Sequence, residues 1–248
     1  MPALAKNKWI EGIEWSRRGK QDRSARTVDA LLDAADERFA ECGVDAASIA
    51  DIAAAAKCSV GAVYHHFSDK SELVCASFSR LLQRFEATSA AALDPDRWKG
   101  ATILDILEGY LEFSFKVERE NPGHKKCAYE IASRDPSARE ALRRLEADFQ
   151  SAFRRLLMAR KDEIAHPAPD VAIRFAIDQC TAVIRMRREA TFLPTQTSRL
   201  SDATLVRETI ASLRCYLYGP VARGRQNRKR ATVGPGQVRT RSVSAKAR

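Results

Sequence analysis

Apolar residues recur at helical spacing along almost all of this 248-residue chain. In the first clear example, Leu31, Ala35 and Phe39 share one face of a helix. The opposite face of the same helix is acidic and we expect it to be solvated; it carries Asp29, Asp33, Asp36 and Glu37. No run that alternates apolar and polar residues between turn residues indicates a strand. The sequence therefore predicts an all-α protein with about nine helices.

Two short helices joined by a tight turn are predicted within residues 48–67. Ser48 and Ser59 are each suited to cap the start of one of them, because a serine hydroxyl accepts a hydrogen bond from the first helical turn. Val63 and Phe67 lie four residues apart, so both can face inward. The pattern predicts a helix, a tight turn and a second helix.

The rest of the chain is divided by proline-containing breaks. A longer fourth helix follows Asp69 and runs toward Leu93-Asp94-Pro95, where we expect it to link two domains. Five further helices are predicted at about residues 101–119, 125–133, 136–163, 171–190 and 202–218.

The positive charge of the chain is concentrated at its ends. The formal net charge is +10, of which residues 1–26 contribute +4 and residues 223–248 contribute +9, so the remainder is slightly acidic. The last 28 residues have too few apolar groups to fold, and we expect them to be disordered. The basic ends either add nonspecific phosphate contacts or keep the protein in solution.

Several kinds of site have no support in the sequence. The six cysteines form no CxxC pair and do not cluster with the four histidines, so we expect no metal site and no disulfide framework. The chain has no nucleophile elbow, phosphate loop or HExxH motif, which disfavours an enzyme, and we expect no cofactor. It lacks a membrane-length apolar run and a secretory signal, so we expect a cytoplasmic protein without a membrane partner.

The stretch from about Arg26 to Leu73 resembles the N-terminal domain of TetR-family repressors. The residues that carry the resemblance are Ser48, Ile52, Ala53, Ser59, Gly61, Val63, Tyr64, His66, Phe67, Lys70 and Leu73. It implies a helix-turn-helix DNA-binding domain at residues 26–72 and a ligand-binding and dimerisation domain at residues 73–220. A flexible basic arm at residues 1–25 and a disordered basic tail at residues 221–248 would flank them.

The helix-turn-helix is expected to contact DNA through small, hydroxyl-bearing and basic side chains. Gly61 permits close approach of the helix, and hydroxyls, imidazoles and ammonium groups can bind phosphate oxygens. The resemblance implies that Val60, Gly61 and Ala62 approach the bases. The predicted DNA contacts are Ser48, Lys57, Ser59, Val60, Gly61, Ala62, Tyr64, His65, His66 and Lys70.

Two positions depart from the family pattern. Lys57 replaces the glycine usual in the turn, which indicates either an ordinary helical turn there or an added phosphate contact. Val60 stands where a basic residue is common; it can touch a thymine methyl group but cannot donate to guanine. Two structural alternatives stay open, because Tyr64 could cap the domain core and the adjacent His65 and His66 could be solvated.

Aromatic residues of the fifth to eighth helices outline a candidate small-molecule pocket, although each of them could instead be core. The predicted lining is Tyr110, Phe113, Ser114, Tyr129, Glu130, Phe149, Phe153, Phe175 and Gln179. Cys127 lies at the start of the sixth helix beside two lysines, which would lower its pKa and suit a redox sensor.

These features favour a ligand-responsive transcriptional repressor. The resemblance implies a homodimer, joined through its last two helices, that binds palindromic operator DNA and is released by an unknown small molecule. The alternatives are a DNA-binding dimer without an effector and a redox sensor that acts through Cys127. The sequence does not identify the effector or the operator.

Overall fold

The structure is a computed structural model that describes Trp9, residues 23–190 and residues 193–219. Nearly all of the predicted basic arm and the whole of the predicted tail lie outside these residues. Within the described ranges every regular element is helical, which confirms the all-α prediction. None of the helices in this part of the chain is long and apolar enough to cross a membrane.

The nine helices described follow the predicted order closely. They are α1 (Arg23–Cys42), α2 (Ile49–Ala55), α3 (Val60–His66), α4 (Lys70–Ala92), α5 (Ile103–Glu120), α6 (His124–Arg134), α7 (Pro136–Met158), α8 (Pro169–Glu189) and α9 (Asp202–Tyr218). The seventh is shorter than predicted, and a single 3₁₀ turn at Lys161–Glu163 follows it. Arg160 lies just beyond the end of α7, and its guanidinium donates to the carbonyls of Trp98 and Ala101.

A small N-terminal core is formed by α1, α2, α3 and the start of α4. Leu31, Phe39, Ile52, Val63 and Leu73 are almost completely buried in it. The serine caps predicted for α2 and α3 are both present, with Oγ to backbone nitrogen distances of 3.0 and 3.1 Å. Local capping and one shared apolar core therefore fix the angle between these two short helices.

A larger C-terminal core lies between α5, α7, α8 and α9. Its fully buried side chains include Leu107, Leu111, Leu157, Ile173 and Leu213. The two cores are connected by α4, which continues from the N-terminal core, and by α6, whose buried face belongs to the N-terminal cluster. Both connecting helices also line the C-terminal cavity that is described below.

Trp9 is a described residue of the predicted basic arm, and it packs on the C-terminal core. Its ring stacks on Trp98 with a centroid distance of 5.9 Å, and Arg97 donates to its carbonyl oxygen. This part of the arm therefore contacts the segment between α4 and α5.

Asp36 is buried, so the expectation that the whole acidic face of α1 is solvated is wrong. It is 7% exposed and accepts hydrogen bonds from Ser77, Arg80 and Arg84 of α4. Asp33 pairs with the same two arginines at 3.1 and 3.2 Å. The physical reason is that α4 packs on this face of α1 and brings its arginines with it.

Gly123 sits where α6 meets α1, and its replacement by alanine is expected to destabilise the protein by about 2–3 kcal/mol. Its φ is +84°, and an added Cβ would lie 2.5 Å from the carbonyl oxygen of Ala40. Gly100 is the matched control, because its φ is +77° and a Cβ there meets nothing within 4 Å. Thermal unfolding of both variants measures the difference; equal losses would contradict the close α1–α6 contact.

Candidate nucleic-acid interface and C-terminal cavity

One face of α3 is buried and the other is open to solvent. Val63 and Phe67 pack into the N-terminal core, whereas Val60 and Tyr64 are 42% and 52% exposed. Val60 and Tyr64 are four residues apart and so lie on the same side of the helix. The exposure of Tyr64 counts against the alternative in which its ring caps the core.

Gly61 lies on α3 between these exposed side chains, and the fold does not require a glycine there. A Cβ at this position would meet only the Ser59 hydroxyl, at 3.7 Å. Glycine in a helix lowers stability by roughly 0.5–1 kcal/mol relative to alanine. The glycine therefore makes α3 less stable at a position that is open to solvent. The bare backbone leaves room for close approach by another molecule.

The two capping serines differ in whether the hydroxyl hydrogen is already used in a hydrogen bond. The Ser48 hydroxyl donates to the Asp51 carboxylate at 2.6 Å while it accepts from the Asp51 backbone. Ser59 accepts from the backbone nitrogen of Ala62, and its hydroxyl hydrogen has no acceptor among the described residues. Of the two hydroxyls, the one on Ser59 is therefore free to donate to a phosphate oxygen.

Lys57 holds the backbone conformation that the replaced glycine would adopt. Its φ is +56°, so the alternative of an ordinary helical turn is wrong. The nitrogen of Lys57 donates to the carbonyl of Ala54 and that of Cys58 to the carbonyl of Ala53, which is the Schellman arrangement at a helix end. This left-handed conformation costs a lysine about 1–2 kcal/mol. The Lys57 side chain is exposed, and it places a cation beside α3.

The start of α4 is fixed by several local hydrogen bonds. Asp69 accepts from the backbone nitrogen of Glu72, and the Glu72 carboxylate accepts from the backbone nitrogen of Ser68, which lowers the pKa of Glu72. The ammonium of Lys70 donates to the carbonyl of Asp45 at 3.0 Å and keeps two further donors. This bond holds the Lys70 side chain against the segment between α1 and α2.

The remaining predicted contacts also lie on α3. Ala62 and His66 are partly exposed and His65 is exposed. The rings of His65 and His66 meet edge to face with a centroid distance of 5.0 Å. In the described ranges no group of three His, Cys, Asp or Glu side chains is placed to hold a metal ion.

A cavity of about 300 Å³ lies in the C-terminal part of the chain, between α4, α5, α6, α7 and α8. Aromatic rings form much of its wall: Tyr110 and Phe153 have a centroid distance of 4.8 Å, and Phe85 and Phe149 one of 5.8 Å. Burial raises the pKa of Tyr110, whose hydroxyl lies 3.4 Å from that of Thr181. The volume and the apolar wall are typical of a small-molecule site.

Six of the nine predicted pocket residues line this cavity. They are Tyr110, Phe113, Ser114, Tyr129, Phe149 and Phe153. The structure places the other three elsewhere, because the helical phase of α6 and α8 turns them away from this wall. Glu130 pairs with Arg134, Phe175 is 47% exposed and packs on Tyr216, and Gln179 lies on the same helix as Phe175.

Residues of α4 that line the cavity were not among the predicted pocket residues. Leu81, Leu82 and Phe85 belong to the apolar stripe of α4, which the sequence analysis assigned only to a link between domains. Trp98 and the charged residues Glu118, Lys125, Glu146, Arg185 and Arg188 also line it. The apolar stripe of α4 is visible in the sequence, but the sequence does not show which other helices this stripe faces.

The prediction that Cys127 has a lowered pKa is wrong. Its side chain is buried against α1, and burial raises the pKa of the thiol to about 12. The charges of Glu130 and Asp36 contribute to this rise, while the neighbouring Lys125 pairs with Glu118 at 3.3 Å. A thiol in this environment is a poor nucleophile.

Alkylation of the folded protein with iodoacetamide at pH 8 is expected to leave Cys127 and Cys180 unmodified. Both are buried, and burial raises the pKa of each thiol to about 12. Cys42 and Cys75 are exposed and serve as internal positive controls in peptide mass spectrometry. Fast modification of Cys127 before unfolding would contradict its placement.

Comparison with known proteins agrees with this arrangement. Residues 31–76 match the family model for bacterial regulatory proteins of the tetR family. This N-terminal segment is therefore similar to the DNA-binding domain of the tetR family. The ten predicted DNA contacts all lie within the matched segment, whereas the cavity residues lie beyond it.

Two curated proteins are similar in sequence to this chain. The HTH-type transcriptional regulator CymR of Pseudomonas putida is 31% identical over 132 residues, which is 52% of this chain and 62% of that protein. The transposon Tn10 TetC protein of Escherichia coli is 30% identical over 95 residues, which is 38% of this chain and 47% of that protein. The alignments thus span less than two thirds of either relative.

The fold extends further than the sequence similarity. The structure of the fatty acid degradation regulator FadR from Bacillus halodurans superposes with a TM-score of 0.55 at 18% identity. The alignment covers 84% of this chain and 100% of that one. The C-terminal helices of this chain therefore share the fold of that structure as well.

Proposed function

We propose that this protein regulates transcription by binding palindromic operator DNA as a homodimer and leaves the DNA when a small molecule occupies its cavity. The exposed face of α3 carries the proposal. It combines the bare backbone of Gly61 with Val60 and Tyr64. Along the chain, Lys57 precedes this helix and Lys70 follows it. A short helix with an exposed face and lysines before and after it in the sequence suits the major groove and its phosphates.

The outer face of α8 supports dimerisation through the last two helices. Val171 and Phe175 are 49% and 47% exposed and lie one turn apart, and Phe175 packs on Tyr216 of α9. Large apolar side chains that share an exposed patch are a feature of interfaces. A two-fold axis through this patch would present two copies of α3 to successive major grooves, about 34 Å apart.

The cavity supports a response to a small molecule. Its wall includes α4, which follows α3 directly, and α6, which packs on α1. A ligand that favours a different position of α4 would change the spacing of the two recognition helices in a dimer. A regulator without an effector would not need this cavity, and the buried Cys127 counts against a redox sensor.

The test is binding of the full chain to labelled DNA from upstream of its own gene, measured by fluorescence anisotropy at several salt concentrations. We expect site-specific binding that weakens steeply as salt rises, because phosphate contacts release counterions. Tyr64→Phe removes only the hydroxyl and should weaken binding about tenfold, and Tyr64→Ala should weaken it more. Undiminished specific binding by Tyr64→Ala would place the interface elsewhere, and no specific binding to any upstream fragment would overturn the proposal.

A further inference from the structure

The cavity changes from apolar to charged along its length. Tyr110 of α5 lies against Thr181 of α8, and Glu118 of α5 lies 3.6 Å from Arg188 of α8. The two helices therefore run side by side in the same direction. Eight residues of α5 separate the two contacts, which at the rise of a helix is about 12 Å.

The end near Tyr110 is almost entirely apolar. The rings of Tyr110, Phe149 and Phe153 are in mutual contact, with centroid distances between 4.8 and 5.9 Å. Trp98 and Ile106 also line the cavity. An aliphatic or aromatic body of a ligand would be desolvated among these groups.

The other end has an excess of positive charge. Three cations, Lys125, Arg185 and Arg188, line the cavity together with the two carboxylates Glu118 and Glu146. Lys125 and Arg188 lie 3.3 and 3.6 Å from Glu118, so the charge of that carboxylate is already compensated. Within the described ranges Arg185 has no ion-pair partner.

The second carboxylate at this end is also engaged. Glu146 accepts a hydrogen bond of 2.6 Å from the Tyr129 hydroxyl, and burial with this contact raises the pKa of Tyr129 to about 12. The Arg188 guanidinium lies 5.8 Å from the centre of the same ring. Among the described residues both acids therefore have partners, whereas Arg185 has no ion-pair partner.

We propose that the effector is an amphipathic carboxylate, with its apolar body among the aromatic rings and its carboxylate beside Arg185 and Arg188. This inference rests on the proposed function, because it names the ligand class of the same cavity. One observation favours a ligand with a positively charged head group instead: Oε1 of Glu118 has no hydrogen-bond partner among the described residues. Its two cationic neighbours leave no net negative charge there for an ammonium group.

The test compares ligands that differ only in the head group. Octanoate, 1-octanol and octylamine are titrated calorimetrically into the full chain without DNA. We expect octanoate to bind at least about tenfold more tightly than either of the others, because a charge-assisted contact is gained only by the carboxylate. Equal or tighter binding of octylamine or octanol would overturn the proposal.

Two charge-reversal variants test where in the cavity the carboxylate of the ligand binds. Arg185→Glu should weaken octanoate binding at least about tenfold and strengthen octylamine binding, since it reverses the unpaired charge. The matched control is Arg144→Glu on α7, which makes the same change of net charge at an exposed side chain that does not line the cavity. The same loss in both variants would mean that total charge, and not the cavity, sets the preference.

Failure of this inference can be separated from failure of the proposed function. If octanoate binds no better than octylamine while the protein still binds its operator, the ligand class is wrong and the DNA-binding role stands. If octanoate binds as expected, operator release is then measured by anisotropy at a saturating concentration. No release would show that this class of ligand occupies the cavity without being the effector, which overturns the proposal.

Discussion

Replacing Gly61 with leucine is expected to raise the thermal stability of the protein while it weakens operator binding about a hundredfold. The stability should rise by roughly 0.5–1 kcal/mol because leucine is a better helix former than glycine and the added Cβ meets only the Ser59 hydroxyl. The affinity should fall because the new side chain occupies the space that the bases require. Opposite signs for the two effects separate a binding role of Gly61 from a structural one.

The measurement combines thermal unfolding with anisotropy on the same protein samples. Gly61→Ala introduces a smaller side chain than Gly61→Leu, so we expect a similar gain in stability and a smaller loss of affinity for DNA. A variant that loses stability together with DNA binding would show that the glycine is needed by the fold. Unchanged affinity in Gly61→Leu would place the DNA contact on another surface.

Replacing Asp36 with alanine is expected to lower the free energy of unfolding by about 3–5 kcal/mol. The change leaves the guanidinium groups of Arg80 and Arg84 largely buried, with only Asp33 as a partner. It also removes the hydrogen bond from Ser77. Because a chain of this length changes its Tm by about 2–4 °C per kcal/mol, we expect Tm to fall by roughly 10 °C.

Asp33→Ala is the matched control for this variant. The Asp33 side chain is 39% exposed and pairs with the same arginines, so its loss should cost less than about 1 kcal/mol. Urea unfolding of both variants measures the difference. Equal effects would contradict the burial of Asp36 and the role of this cluster in holding α1 against α4.

The helices and the exposed face of α3 were predictable because their signals are local. Ser48 and Ser59 cap helices in the sequence as in the structure, and the spacing of Val63 and Phe67 sets which face of α3 is buried. Proline-containing breaks likewise marked the starts of α7 and α8. Each of these features depends on residues within one or two helical turns of each other.

The errors concern residues whose surroundings come from distant parts of the chain. Asp36 is buried by arginines more than forty positions away, and Cys127 is buried by α1. Phe175 belongs to an apolar position of α8 that faces away from the cavity, which periodicity within one helix does not reveal. The left-handed Lys57 was ambiguous because a lysine seldom adopts that conformation.

Hydroxyl-radical footprinting of the upstream DNA with the full chain shows whether two copies of α3 contact a palindromic site. We expect two protected half-sites with two-fold symmetry, centred about one helical turn apart on one side of the DNA, and no protection with Gly61→Leu. A single unsymmetrical protected site, or the same footprint with Gly61→Leu, would contradict recognition of a palindrome by paired copies of α3.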